Sequence, residues 1–250
     1  MLALAVTNFL KFPPLRRFEQ DKHFQNLAEG TYVPPAFALS VLGFSTSLND
    51  LNLELKNAYL EFKREGEAIL RGTGAYFLEY TSLAVPLAYP FTLHSRIEAA
   101  WSEKEKREYT AEWVEALQTC QLQAPLSLRL APPHLTDSGE AFFPVQDTGL
   151  GSESIRRCVK DWQGRLPLAQ TPGVFSIPPS LSMIFMRFAL SRDAGVSEKD
   201  IEARWSRLSS LWANRTINIH SPVVFLVEGD TAVVLSSKTP WASLALTKSV

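Results

Sequence analysis

Apolar positions along the chain switch between a period of two and a period near 3.6, and the order of the switches repeats. In the first unit a β-like run, FTLHSR, leads to Ser102 with Glu105, a capping box ahead of a helical stripe of Trp101, Tyr109, Trp113 and Leu117. Two alternating runs follow, Leu126 to Leu130 and Ala141 to Val145, and they predict paired strands. In the second unit the run SMIFMRFAL leads to Ser197 with Asp200, then to the stripe Ile201, Trp205, Leu208 and Trp212, then to TINIHSPVVFLV. Val223–Val227 and Thr231–Leu235 flank Glu228-Gly229-Asp230, which signals a hairpin. The two capping serines stand about 95 residues apart. Duplication of this kind predicts an α+β fold: a two-lobed α/β sandwich with mostly antiparallel sheets flanking a central groove.

Ahead of the repeat, Phe37 to Phe44 reads as a strand, and Leu48, Leu51, Leu55, Ala58, Tyr59 and Phe62 fall at helical intervals, with Gly66 as the expected stop. Pro86 and Pro90 interrupt strong β formers, so two short strands with an irregular link are expected there. The stretch Gly149–Arg157 is expected to start another helix, after the Asp147-Thr148-Gly149 turn. The division that results is an N-terminal extension with a first strand over 1–36, a two-lobed domain over 37–236 whose interleaved lobes cross near 163–179, and a tail over 237–250.

With 250 residues, 46% of them hydrophobic, the chain can bury a sizeable core. A net charge of −1 provides no long-range field toward nucleic acid or an acidic membrane. Cys120 and Cys158 match no metal spacing and read as idle thiols near helix ends. No cofactor and no metal site is expected. The apolar start, MLALAVTNFLKF, is too short to span a bilayer, and compartment is not readable. Asn214-Arg215-Thr216 fits a glycosylation sequon, although Thr216 is placed at a strand start.

Signatures of familiar enzyme sites are missing: there is no G-x-S-x-G, no H-E-x-x-H and no G-x-G-x-x-G, and Gly72 and Gly74 precede no P-loop Lys-Ser/Thr. The carboxylates of the first capped helix alternate with Lys104, Lys106 and Arg107 as a solvated face. What remains is one strand on which Thr92, His94 and Arg96 share a face, because a strand's period of two points residues i and i+2 the same way. His134 and His220 follow at equivalent places of the two units and read as peripheral, and His23 lies in the polar, Pro-bearing 13–35 stretch and reads as solvated.

The order of elements, together with TLHSR and PSLSMIFMRF, resembles the 2H phosphoesterase superfamily, the two-lobed fold of 2′,3′-cyclic nucleotide phosphodiesterases and RNA ligase-like proteins. In that family each lobe contributes a His-x-Thr or His-x-Ser strand to a central groove. The resemblance assigns His94 as general acid or base and Thr92 and Arg96 as holders of phosphate oxygens; arginine suits that task through its forked donors. In the second unit it places Ser182 where the other histidine belongs and Ile184 where the hydroxyl belongs. Arg187 is a further candidate anion holder, although on a regular strand it faces away from Ser182 and Ile184.

With half the catalytic pair missing, the resemblance implies a binding, accessory or assembly subunit whose partners are other protein subunits. The alternative is a divergent phosphodiesterase acting on a 2′,3′-cyclic phosphate or related nucleotide through His94, with a small phosphate-containing ligand. Loss of one of two proton-transfer groups costs on the order of 10²–10⁴ in rate for that step, which favours the binding reading.

Overall fold

The helices arise where apolar side chains recur at helical spacing over a sheet, and the strands where β formers alternate. The computed structural model describes residues 39–42, 53–91, 103–119, 126–137, 139–149, 151–166, 177–188, 190–213, 215–221, 223–228 and 242–245. The expected first strand, the 13–35 stretch, Ser102 and the Thr231–Leu235 strand lie outside the described residues.

Helix α1 (Leu53–Ile69) buries Leu55, Tyr59, Phe62 and Gly66 along one stripe. Gly66 is therefore not the stop the sequence suggested. It sits inside the helix where the Phe77 ring crosses, and a Cβ there would lie 2.4 Å from Phe77 Cζ. The turn comes later, at Gly72 and Gly74, whose φ values of 76° and 84° belong to the left-handed region that glycine enters without steric cost. The Tyr59 hydroxyl donates to the Leu78 carbonyl at 2.6 Å, fastening α1 to the segment after strand β2 (Ala75–Phe77).

Three further helices follow. Helix α2 (Glu103–Thr119) buries Tyr109, Trp113 and Ala116. Helix α3 (Gly151–Gln163) starts after the expected turn, where Asp147 caps it: one carboxylate oxygen accepts from the Ser152 amide at 2.7 Å and from its hydroxyl, and the other accepts from the Gly149 amide at 2.9 Å. Helix α4 (Glu198–Ser210) begins with the predicted reciprocal box, in which the Ser197 hydroxyl accepts from the Asp200 amide and the Asp200 carboxylate accepts from the Ser197 amide.

The strands form two antiparallel sheets. One has four strands in the order β10 (Ala242–Ala245), β9 (Val223–Glu228), β1 (Leu39–Leu42), β3 (Pro86–Phe91). Pro86 and Pro90 are accommodated because β3 stands at the edge among the described strands, where a missing amide donor costs no ladder bond. The other sheet runs β2, β7 (Leu181–Phe188), β6 (Glu140–Asp147), β4 (Leu126–Leu130), β8 (Ile217–Ser221), with the short β5 (His134–Leu135) paired to β6. The chain passes between the sheets at Ser221–Val223, and strand β10 shows that part of the segment read as a tail is a sheet strand. The 163–179 connector links α3, which packs against β3 and β4, to β7, and its residues 167–176 lie outside the described residues.

Helices α1 and α4 pack together over one face of the six-stranded sheet through an aromatic cluster. The Phe62 ring lies 5.5 Å from Phe143, 5.5 Å from Phe185 and 5.0 Å from Trp212, and Phe143 lies 4.4 Å from Phe185. These side chains are fully buried, and together they form the centre of the core. Helix α2 packs on β9 and β10 of the other sheet.

The two cysteines are a correction. Cys158, partly buried in α3, is disulfide-bonded, and the one other cysteine in the chain is Cys120, directly after α2. Spacing arguments did not reveal this bond, since the two cysteines are far apart in sequence. Among the described residues no helix is long and apolar enough to cross a membrane.

Candidate functional site

The second face of the six-stranded sheet, opposite α1 and α4, is where the described candidate residues gather. Along β6 burial alternates strictly: Ala141, Phe143 and Val145 are buried against the helices, while Glu140, Phe142 and Pro144 are half-buried on the other side. Antiparallel partners point to the same face, so the register with β6 assigns the face of each residue of β7. Ser182 stands opposite Pro144 and Ile184 opposite Phe142, on the half-buried face.

On a regular strand Arg187 would then face the core. It does not, because the register slips by one residue between Phe142 and Ala141, leaving Phe185 as an extra residue in β7. Past this bulge Met186 stands opposite Ala141 and Arg187 opposite Glu140. Phe185 and Met186 are both buried on the helix side, and Arg187 emerges on the face of Ser182 and Ile184. The sequence carried a trace of this in SMIFMR, where two polar residues five apart enclose four apolar ones, a spacing that a regular alternation cannot put on one face.

Three rows cross the face. Tyr76 of β2, Arg187 and Glu140 form the first; Ile184, Phe142 and His134 the second; Ser182 and Pro144 the third. In the first row the Arg187 guanidinium donates to the Glu140 carboxylate, and only 14% and 20% of these side chains remain exposed. Such a pair is charge-assisted and largely withdrawn from water. The Tyr76 phenol is held above its usual pKa by burial, and then by the negative charges of Glu79 and Glu67. In the second row the His134 ring meets Phe142 edge-on with centroids 5.4 Å apart, and His134 is solvent-exposed.

Thr92, His94 and Arg96 lie outside the described residues. Of the proposed site, Ser182 and Arg187 are described, and the bulge places them on one face. The sequence reading missed Glu140, Phe142 and Tyr76, which reach the face only through strand pairing, and it set His134 aside as peripheral. His220 lies in β8 opposite Ser127. Among the described residues no group of three or more His, Cys, Asp or Glu side chains is gathered to hold a metal ion.

The described part of this face carries aromatic, apolar and hydrogen-bonding groups, of which Ile184 is itself buried. Ser182 and Ile184 supply no proton at neutral pH, and the Arg187 fork is already engaged by a carboxylate.

Two solved structures of the 2H phosphoesterase family are similar to the chain. TT0787 of Thermus thermophilus shares 16% identity over 86% of this chain and 100% of that one, with a TM-score of 0.48. E. coli LigT complexed with phosphate shares 11% identity over 84% of this chain and 98% of that one, with a TM-score of 0.43. The likeness concerns the fold, and no residue of either structure is carried onto this chain. No family model matches the sequence, and no curated protein does.

Proposed function

We propose that the protein is a non-catalytic, 2H phosphoesterase-like binding subunit that works as an accessory or assembly component of a larger complex. The observation that carries this reading is the content of β7, where Ser182 and Ile184 stand on the half-buried face at the positions to which the sequence resemblance assigns an acid–base histidine and a phosphate-holding hydroxyl. A serine without an adjacent base transfers no proton near neutral pH, and an isoleucine holds no phosphate oxygen.

The bulge supports a second reading, a divergent cyclic phosphodiesterase, because it turns Arg187 toward the face on which Ser182 lies. In that case His94 is the acid or base, with Thr92 and Arg96 as phosphate holders. Turnover of 2′,3′-cyclic nucleotides by the pure protein, beside a His94→Ala variant, separates the two. The binding reading expects no turnover in either protein. Turnover that vanishes with His94→Ala would overthrow it.

A further inference from the structure

Helix α3 lies at the junction of the two sheets. It packs against β3 of the four-stranded sheet, against β4 of the six-stranded sheet, and against α2, which itself rests on β9 and β10. Its fully buried stripe is narrow, consisting of Ser152, Ile155 and Val159. Two aliphatic side chains are a small apolar anchor for a helix that spans such a junction. Bonds to neighbouring segments supplement it. Asp147 caps the first turn, the Arg156 guanidinium donates to the Pro178 carbonyl, and Cys158 is disulfide-bonded. The chain has two cysteines, so the partner of Cys158 is Cys120, the residue that follows α2.

Of these bonds, the disulfide is the one that chemistry can open while the chain stays folded. Thiol–disulfide exchange requires a thiolate to reach a sulfur, and Cys158 is half-buried rather than enclosed in the core. A dithiol reductant attacks the bond, passes two electrons to it and closes to its own disulfide, while Cys120 and Cys158 take up two protons and become thiols.

The effect of opening the bond reaches the candidate face through Arg156. Its guanidinium holds the carbonyl of Pro178, three residues ahead of β7, and Ser182 is the second residue of that strand. A shift of α3 therefore acts on the entry of the strand that carries Ser182.

We propose that the Cys120–Cys158 bond is a redox-sensitive clamp on α3, and that opening it releases the hold of Arg156 on Pro178 and loosens the start of β7. The ordering of the Ser182 face then follows the thiol–disulfide balance of the surroundings. As a means of regulating that face, the clamp rests on the binding reading.

The test is amide hydrogen exchange of the whole chain with and without dithiothreitol, beside titration of free thiols under the same folding conditions. Two thiols are expected to appear in the folded, reduced protein. Exchange in α3 and at the amides of Ser180, Leu181 and Ser182 is expected to speed up about 10-fold, with α1 and α4 unchanged. In oxidised Arg156→Gln the Ser180–Ser182 amides are expected to exchange faster while α3 keeps its protection, and reduction then adds nothing further at those amides. Thiols that appear only once the protein unfolds would overturn the proposal. So would α3 and Ser180–Ser182 exchanging at their oxidised rates after reduction, or α1 and α4 speeding up equally. If Arg156→Gln does not fold, the reduced wild-type protein decides by the same outcomes. Cyclic-nucleotide turnover would overturn the binding reading and leave the clamp standing, whereas unchanged exchange without turnover would overturn the clamp alone.

Discussion

At Gly66 two effects of opposite sign meet in one position. Alanine in a helix interior is favoured over glycine by roughly 1 kcal/mol. Here, however, the added methyl would stand 2.4 Å from Phe77 Cζ, and Phe77 is itself buried and stacked on Phe185 at 6.1 Å, so the ring cannot swing away freely. Overpacking of a closed core costs typically about 1–3 kcal/mol, which exceeds the propensity gain. Gly66→Ala is therefore expected to lower the urea midpoint of unfolding without changing the slope, and a raised midpoint would show that the core yields there. The same residue illustrates a reading problem: a glycine near the end of a helical pattern looks like a stop, and only the ring crossing it shows that the helix continues.

The elements carry their own tests. Loss of the α4 cap in Ser197→Ala is expected to cost about 1 kcal/mol, measured by denaturant unfolding. The acid side of the stability curve follows from two carboxylates. The Asp200 carboxyl is held below its usual pKa by hydrogen bonds from the Ser197 side chain and backbone, and the Glu61 carboxyl by its hydrogen bond from Arg215 at 2.8 Å. A lowered folded-state pKa means that the charged form is favoured by folding. Each contribution is therefore complete above the ordinary carboxylate range and is lost as the pH falls through the folded-state value. Both groups are exposed, so the effect is small and screened by salt. Arg215→Gln is expected to flatten the fall of Tm between about pH 5 and pH 2, and an unchanged profile would remove Glu61 from the account.

The disulfide acts between elements. It ties α3 to the residue after α2 and closes a loop of about 40 residues, for which the chain-entropy estimate is about 4 kcal/mol. The unreduced, denatured protein is expected to show no free thiol and the reduced protein two, with a lower Tm on reduction. Two reactive thiols before reduction would contradict the bridge.

At the scale of the whole molecule, the two sheets are interleaved along the chain. Strand β2, which belongs to the six-stranded sheet, lies in sequence between β1 and β3 of the other, and β9 returns to the four-stranded sheet after β8. Neither sheet can form from one contiguous piece. Unfolding followed by tryptophan fluorescence and by far-ultraviolet circular dichroism is accordingly expected to give one coincident transition, and two separated transitions would mean that the sheets fold independently.

Much of the architecture was legible along the chain because it depends on local periodicity: the buried stripes of α1, α2 and α4, the capping box at Ser197, the alternation of β4 and β6, and the α+β class with antiparallel sheets. That β7 contains no histidine was legible too, since an absent residue type is a fact of sequence. Pairing decided the rest. Whether Arg187 faces the core or joins Ser182 depends on one extra residue in β7, and a strand's period of two turns such a slip into a change of face. The Glu140 partner of Arg187, 47 residues away, and the bond between Cys158 and the other cysteine join segments that no local pattern connects, so they became visible only when the strands and helices were laid side by side.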